Sequence, residues 1–206
     1  MPQWFRNTTW NDSIEHAFNE KLRRARGQGP QYLRIQASTL TRSHPAVALK
    51  LLDRYFQLPD HFDRAQAYVD RATALLALGR IDDAILAYED ALAREATLPN
   101  FRTRACLDLP YLIATRAIRN SYDRALEILN AHRKDVTFPI DVFMWNATHA
   151  LIAMDLGNLA FAKPYAEGAL EAANRKDSGF QYHPSVGLVT EQHAQVVQKL
   201  KDCCAA

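Results

Sequence analysis

The chain has 206 residues, 48% of them hydrophobic, and 25 Lys and Arg against 23 Asp and Glu leave a formal net charge of +2. That composition argues against intrinsic disorder, and the charge balance argues against a general affinity for nucleic acid or anionic lipid. No stretch approaches the roughly 18 apolar residues of a membrane span, and MPQWFRNTTWNDS carries no apolar signal region, so a cytoplasmic protein is expected.

The first predicted helix opens where Asp12 and Glu15 are spaced as a variant capping box, and Ile14, Phe18 and Leu22 then recur every four residues. GQGP (Gly27 to Pro30) ends it. KLRRAR (Lys21 to Arg26), the densest basic cluster, reads as the solvated face opposite that apolar stripe. Helical patterning then continues with breaks at Ser43, Gly79, Asn120 and Gly157, residues of the kinds that end or begin helices. Counted from Gly79, Ala84, Tyr88 and Ala91 follow at five, nine and twelve residues, with Ala72 and Tyr68 seven and eleven before. The same offsets find Ala162, Ala166, Ala169, Ala150 and Asn146 around Gly157, and Ala125, Leu129, His132, Ile113 and Leu109 around Asn120. Around Ser43 they find Ala48, Leu52, Tyr55, Gln36 and Tyr32. The alanine five residues past the turn recurs at 48, 84, 125 and 162, at intervals of 36, 41 and 37 residues. A small residue there lets two antiparallel helices approach closely, and such hairpins stack to share a core.

Pro59, Pro99 and Pro139 fall in or near the loops between hairpins, whereas Pro110 lies inside a predicted helix and is expected to kink it. DVTFPIDVF is the segment closest to a strand, and Pro139 argues against that reading. KDSGFQYHPSVGLV (Lys176 to Val189) is the longest stretch without helical periodicity. Val189, Val196, Val197 and Leu200 then mark an apolar stripe on a last helix.

The recurring offsets resemble the tetratricopeptide repeat, most specifically in the copy from Ala65 to Ala96, where Tyr68, Ala72, Gly79, Ala84, Tyr88 and Ala91 match the family pattern. The copy around Gly157 is good and those around Ser43 and Asn120 are degenerate. All three intervals exceed the family's period of about 34 residues, which implies longer loops between repeats. The resemblance implies an all-α, right-handed superhelical solenoid of about four hairpins with capping helices at both ends. The organisation expected is an N-terminal arm and capping helix over residues 1–29, a repeat array over 30–175, and a loop with a C-terminal capping helix over 176–206.

Sites of chemistry are hard to find. His16, His44, His61, His132, His149, His183 and His193 lack metal-ligand spacing, and no zincin, nucleophile-elbow, Walker or Rossmann motif occurs. Cys106, Cys203 and Cys204 supply neither a disulfide framework nor a zinc site, and CCAA, though formally a prenylation pattern, reads as a helix end. No catalytic site, cofactor or metal is expected.

By the family resemblance, the first helix of each hairpin lines a concave groove. Leu33, Ala37, Leu40 and Thr41 fall there from the first copy, and Val69, Asp70, Thr73, Leu76 and Ala77 from the second. Tyr111, Ala114 and Ile118 follow from the third, and Ala147, Leu151 and Met154 from the fourth. This mostly apolar lining is either an open groove or one filled by the protein itself. Leu33, Ala37 and Asp70 stand where the chaperone-cofactor subfamily clamps a carboxylate, and Asp70 would repel one. A secondary candidate is the loop bearing Phe180, Tyr182 and His183, read either as a recognition loop or as a hydrophobic lid packed on the last repeat. The function expected is a non-enzymatic adaptor or scaffold of bacterial character that binds a peptide or protein, with neither nucleic acid nor membrane as partner. A homo-oligomer is compatible with it. The alternative is a peptide-sensing regulator or a toxin-neutralising, immunity-type protein, and an enzyme is the least supported reading.

Overall fold

Ser43, Gly79, Asn120 and Gly157 each lie between two helices in the computed structural model, which describes residues 3–205, Asp135 without its side chain. The helices are α1 (Asp12–Arg23), α2 (Gly29–Leu40), α3 (Pro45–Phe56), α4 (Arg64–Ala77), α5 (Ile81–Thr97), α6 (Ala105–Thr115), α7 (Tyr122–Ala131), α8 (Pro139–Asp155), α9 (Leu159–Asn174) and α10 (Ala194–Ala205). Among the described residues there is no strand, so the fold is all-α, and no helix is long and apolar enough to cross a membrane.

Two of the turns close by the same chemistry. Gly79 and Gly157 take left-handed backbone (φ 73° and 76°), and the next residue's N–H donates back to the last helical turn. Arg80 N–H reaches Leu75 O at 3.0 Å, and Asn158 N–H reaches Ala153 O at 2.9 Å. The third turn repeats this closure with Ala117 at φ 51°, where Ile118 N–H donates to Ile113 O at 3.0 Å. Ala117, not Asn120, is therefore the structural counterpart of Gly79. A 3₁₀ turn, Arg119–Ser121, is inserted before α7 begins. The offsets counted forward from Asn120 hold, but those counted backward are three residues out of register. Pro110 takes the place of Ala72 and Ala150. It is fully buried, and α6 runs through it without a break.

Ala48, Ala84, Ala125 and Ala162 are each the fourth residue of the second helix of a hairpin, and all four are fully buried. A bulkier side chain at such a fully enclosed position would have to displace its packed neighbours.

By packing, the chain divides into two units, Met1–Ala105 and Cys106–Ala206, and the division falls within residues 30–175, where a single array is expected from the sequence. In the first unit α2 packs on α3, α3 on α4 and α4 on α5. Its core joins Phe18, Leu33, Ala37, Leu40, Ala48, Leu51, Leu52 and Tyr55, with Trp4, Phe5 and Trp10 laid against it. Gln36 stands where the other hairpins carry a small or apolar residue, and the N-terminal arm satisfies it. Asn7 donates its backbone and side-chain N–H groups to Gln36 Oε1 at 3.0 and 2.9 Å, and Gln36 Nε2 returns a bond to Asn7 O at 2.8 Å. A buried polar group costs little once paired this way. The first helix is capped by Asn11, whose Oδ1 accepts from Ile14 N–H at 3.0 Å, rather than by Asp12. Glu15 accepts instead from Trp10 Nε1 at 3.3 Å.

In the second unit α8 packs on α9, and α10 on both. Pro139 opens α8, and Asp141 reaches back to accept from Phe138 N–H at 2.9 Å, so the strand-like DVTFPIDVF is a helix entry. Arg119 clamps Asp155 at the end of α8 with two bonds of 2.7 and 3.1 Å, and Tyr122 donates to the same carboxylate at 3.0 Å. These bonds hold Asp155 below the usual carboxylate range. Val189 precedes the last helix rather than joining its stripe, whereas Leu200 and Cys203 are buried in the unit's core.

Candidate functional site

The C-terminal segment builds one wall of a cleft in the second unit. A 3₁₀ turn, Glu191–His193, leads into α10, which sinks Leu200 and Cys203 into the core. Gln192, Gln195, Val196 and Lys199 recur at helical spacing on the face left over, and they line the cleft together with His193. The opposite wall is Tyr111 and Thr115 of α6 and Arg116 of the turn that follows it, with Leu151 of α8 also in the lining, around a volume of about 420 Å³.

One contact ties the walls together. The Tyr111 hydroxyl lies 2.8 Å from Nδ1 of His193, and the two rings meet edge-on at 5.5 Å. Phe143 packs edge-on against the same imidazole at 5.2 Å, beside the Tyr111 ring. Burial pushes the Tyr111 phenol well above its ordinary pKa, so it stays protonated and is suited to donate to Nδ1. Thr115 turns its hydroxyl back to Tyr111 O at 2.7 Å, which spends its donor on the helix. Arg116 and Lys199 differ from these: both are exposed, neither has an acidic partner among the described residues, and no Asp or Glu lines the cleft.

A second cleft, in the first unit, differs in that its cations are paired. It holds about 380 Å³ between Phe56, Tyr68, Leu75 and Leu86, and it is also lined by Arg64, Arg71, Arg80, Asp83 and Asp90. Its cations are already committed: Arg64 to Asp60 at 3.6 Å, Arg71 to Asp53 at 3.3 Å and Arg80 to Asp83 at 2.7 Å. A ligand there would have to displace an internal partner. The second unit's cleft imposes no such cost.

Of the groove positions expected from the repeat, Tyr111 and Leu151 come together in the second unit's cleft. Ala114 and Ala147 are buried, and Ile118 and Met154 are half-buried. In the first unit Leu33, Ala37 and Leu40 belong to the core, and Thr41, Val69 and Asp70 are buried. Thr73 and Leu76 remain half-exposed and Ala77 is exposed. Asp70 is held by Arg34 at 3.1 Å, Ser38 at 3.0 Å and Gln66 at 3.2 Å, and burial still leaves its carboxyl above the ordinary range. Arg34 also donates to Asp63 at 2.7 Å. Burial pushes the Asp63 carboxyl up, but hydrogen bonds from Tyr55, His61 and Arg34 outweigh it and hold the group below its ordinary range. This network is an internal brace with its polar groups satisfied.

The loop after α9 is ordered by Ser178. Its buried hydroxyl donates to His183 O, and its N–H to Pro184 O, both at 2.8 Å. Phe180 packs on Phe138 with ring centres 5.0 Å apart, but Tyr182 is 84% exposed and His183 is exposed as well. Phe180 thus touches the start of α8 while remaining 43% exposed, and the turn that Ser178 fixes leaves the Tyr182 ring in solvent.

Sequence reasoning missed Thr115, Arg116, Gln192, His193, Gln195 and Lys199. Positions 192, 195, 196 and 199 recur at helical spacing in the sequence, but only Val196 among them belongs to the apolar stripe that marks the last helix. No group of His, Cys, Asp and Glu that could hold a metal occurs among the described residues. No protein-family model matches the chain, and neither a curated protein nor a solved structure does.

Proposed function

We propose that the protein is a non-enzymatic binding module, its hairpins degenerate copies of the tetratricopeptide unit, that receives a peptide or protein segment in the cleft between α6 and α10. The observation that carries this reading is the lining itself. An apolar and aromatic surface of Tyr111, Leu151 and Val196 lies beside side-chain donors that no internal group uses up. A few polar groups around apolar surface fix the orientation of a bound segment, while burial of that surface supplies affinity. The chemistry of the cleft supports binding over turnover. Its phenol is held protonated, its threonine hydroxyl is committed to backbone, Nδ1 of its one imidazole, His193, is engaged by that phenol, and its lining has no carboxylate to pair with the imidazole.

Selection from a random peptide library on the immobilised protein tests this. Peptides recovered on the wild-type protein are expected to bind Val196→Glu about tenfold or more weakly, since a carboxylate enters apolar contact surface. The circular dichroism and melting curve of the variant should be unchanged, because Val196 is only half-buried. Selected peptides that bind both proteins equally, or a library from which nothing is enriched, would overturn the reading.

A further inference from the structure

We infer that the segment taken by this cleft is acidic: a short peptide with carboxylates flanking an apolar side chain. The inference rests on the binding reading above and adds to it the chemistry of the partner. Arg116 approaches from the turn after α6 and Lys199 from α10, so a cation stands on each wall, and neither has an acidic partner among the described residues. Gln192 and Gln195 add amide donors and acceptors that suit an extended backbone. Leu151 and Val196 offer the apolar surface for the side chain between the carboxylates. The contrast with the first unit is the reason for choosing this cleft. There every arginine of the lining is neutralised by the chain's own aspartates, and here the neutralising charge is missing.

A polyanion such as single-stranded RNA is a poorer fit. Affinity for it comes from many phosphate contacts along a basic track, and this lining supplies two fixed cations on a chain of net charge +2. An acidic peptide needs only those two, with apolar contact for the remainder.

The test uses the full chain and three fluorescein-labelled probes read by polarisation. One is a pool of octapeptides with two Glu or Asp flanking a Leu or Phe. The second is the same pool with Gln and Asn in place of the acids, and the third is an eight-nucleotide single-stranded RNA. The acidic pool is expected to bind about tenfold or more tightly than the amide pool, as charge-assisted hydrogen bonds are lost with the acids. Arg116→Gln and Lys199→Gln should each weaken it by about fivefold, and raising the salt should do the same. Both side chains are exposed, so these variants should keep the wild-type melting curve. An amide pool that binds as tightly, and loses binding with Val196→Glu, would overturn the acidic specificity while leaving the binding reading intact. Preferential binding of the RNA overturns the inference in favour of a nucleic-acid ligand. Acidic binding that ignores both charge substitutions, or failure of both peptide pools, overturns it as well.

Discussion

Gly187 carries the backbone past the ring of Phe138 so closely that a Cβ at that position would stand 2.6 Å from three Phe138 atoms. The glycine is left-handed, at φ 73°, and its carbonyl accepts the N–H of Ile140 at 2.8 Å. That bond ties the loop after α9 to the first turn of α8. Gly187→Ala faces both the backbone penalty and the clash, and it should cost about 1–3 kcal/mol. Urea unfolding measures the loss, and limited proteolysis should cut between residues 176 and 190 faster in the variant. An unchanged midpoint would mean that the loop is not locked to α8.

The buried alanines give a second test. Ala84 is fully buried near the start of α5, which packs on α4, so Ala84→Leu should overpack that contact and lose about 1–3 kcal/mol. Arg80, four residues earlier, is exposed and paired with Asp83 in a surface bridge of the kind worth well under ~1 kcal/mol. Arg80→Leu should therefore move the unfolding midpoint far less. Equal effects would place the contact elsewhere.

Ala117 and Gly157 form an exchange experiment on one backbone motif. Both sit left-handed at the end of the first helix of a hairpin, but Ala117 bears a Cβ in a region that costs L-residues about 1–2 kcal/mol. Allowing for glycine's greater chain entropy, Ala117→Gly should raise stability by about 0.5–1 kcal/mol. Gly157→Ala should lower it by about 1 kcal/mol, and since nothing lies within 4 Å of a Cβ there, the loss is purely conformational. A melting series on the two single variants reads both signs, and a destabilised Ala117→Gly would refute the assignment.

Ala117 also shows where the sequence stopped being legible. Offsets along a helix survive in the sequence because a fully enclosed helix contact admits only a small residue, so Ala48, Ala84, Ala125 and Ala162 could be found by counting. The inserted 3₁₀ turn after Ala117 leaves no such mark. Asn120 is a turn residue, but it lies in the 3₁₀ turn that leads into α7 and not at the end of α6. The cleft was legible in half. Leu151 lies six residues before Gly157, and Tyr111 matches it only when counted six before Ala117 rather than nine before Asn120, whereas Gln192, His193, Gln195 and Lys199 depend on where α10 docks, which long-range packing decides. The buried Gln36 makes the same point, since its partner Asn7 lies 29 residues away in an arm without periodicity.

The last prediction concerns pH and a histidine outside the cleft. His149 of α8 is 7% exposed, with its ring stacked on Tyr165 at 4.7 Å and against Trp145 at 4.3 Å. Its Nε2 is buried without a hydrogen-bond partner among the described residues. Burial lowers its pKa below the ordinary value of 6.5, because a charged imidazole would stand desolvated among aromatic rings. The unfolded chain then takes up a proton that the folded protein resists, so stability is fully present above about pH 6.5 and falls as pH drops toward the depressed folded-state value. Within that window this group contributes a slope of up to about 1.4 kcal/mol per pH unit. His149→Phe keeps an aromatic ring in the stack and removes the titration. Urea unfolding of both proteins between pH 7.5 and 5 should show the wild-type midpoint falling more steeply than that of the variant. Parallel curves would mean that His149 takes its proton as readily folded as unfolded, and that the aromatic stack opens to water.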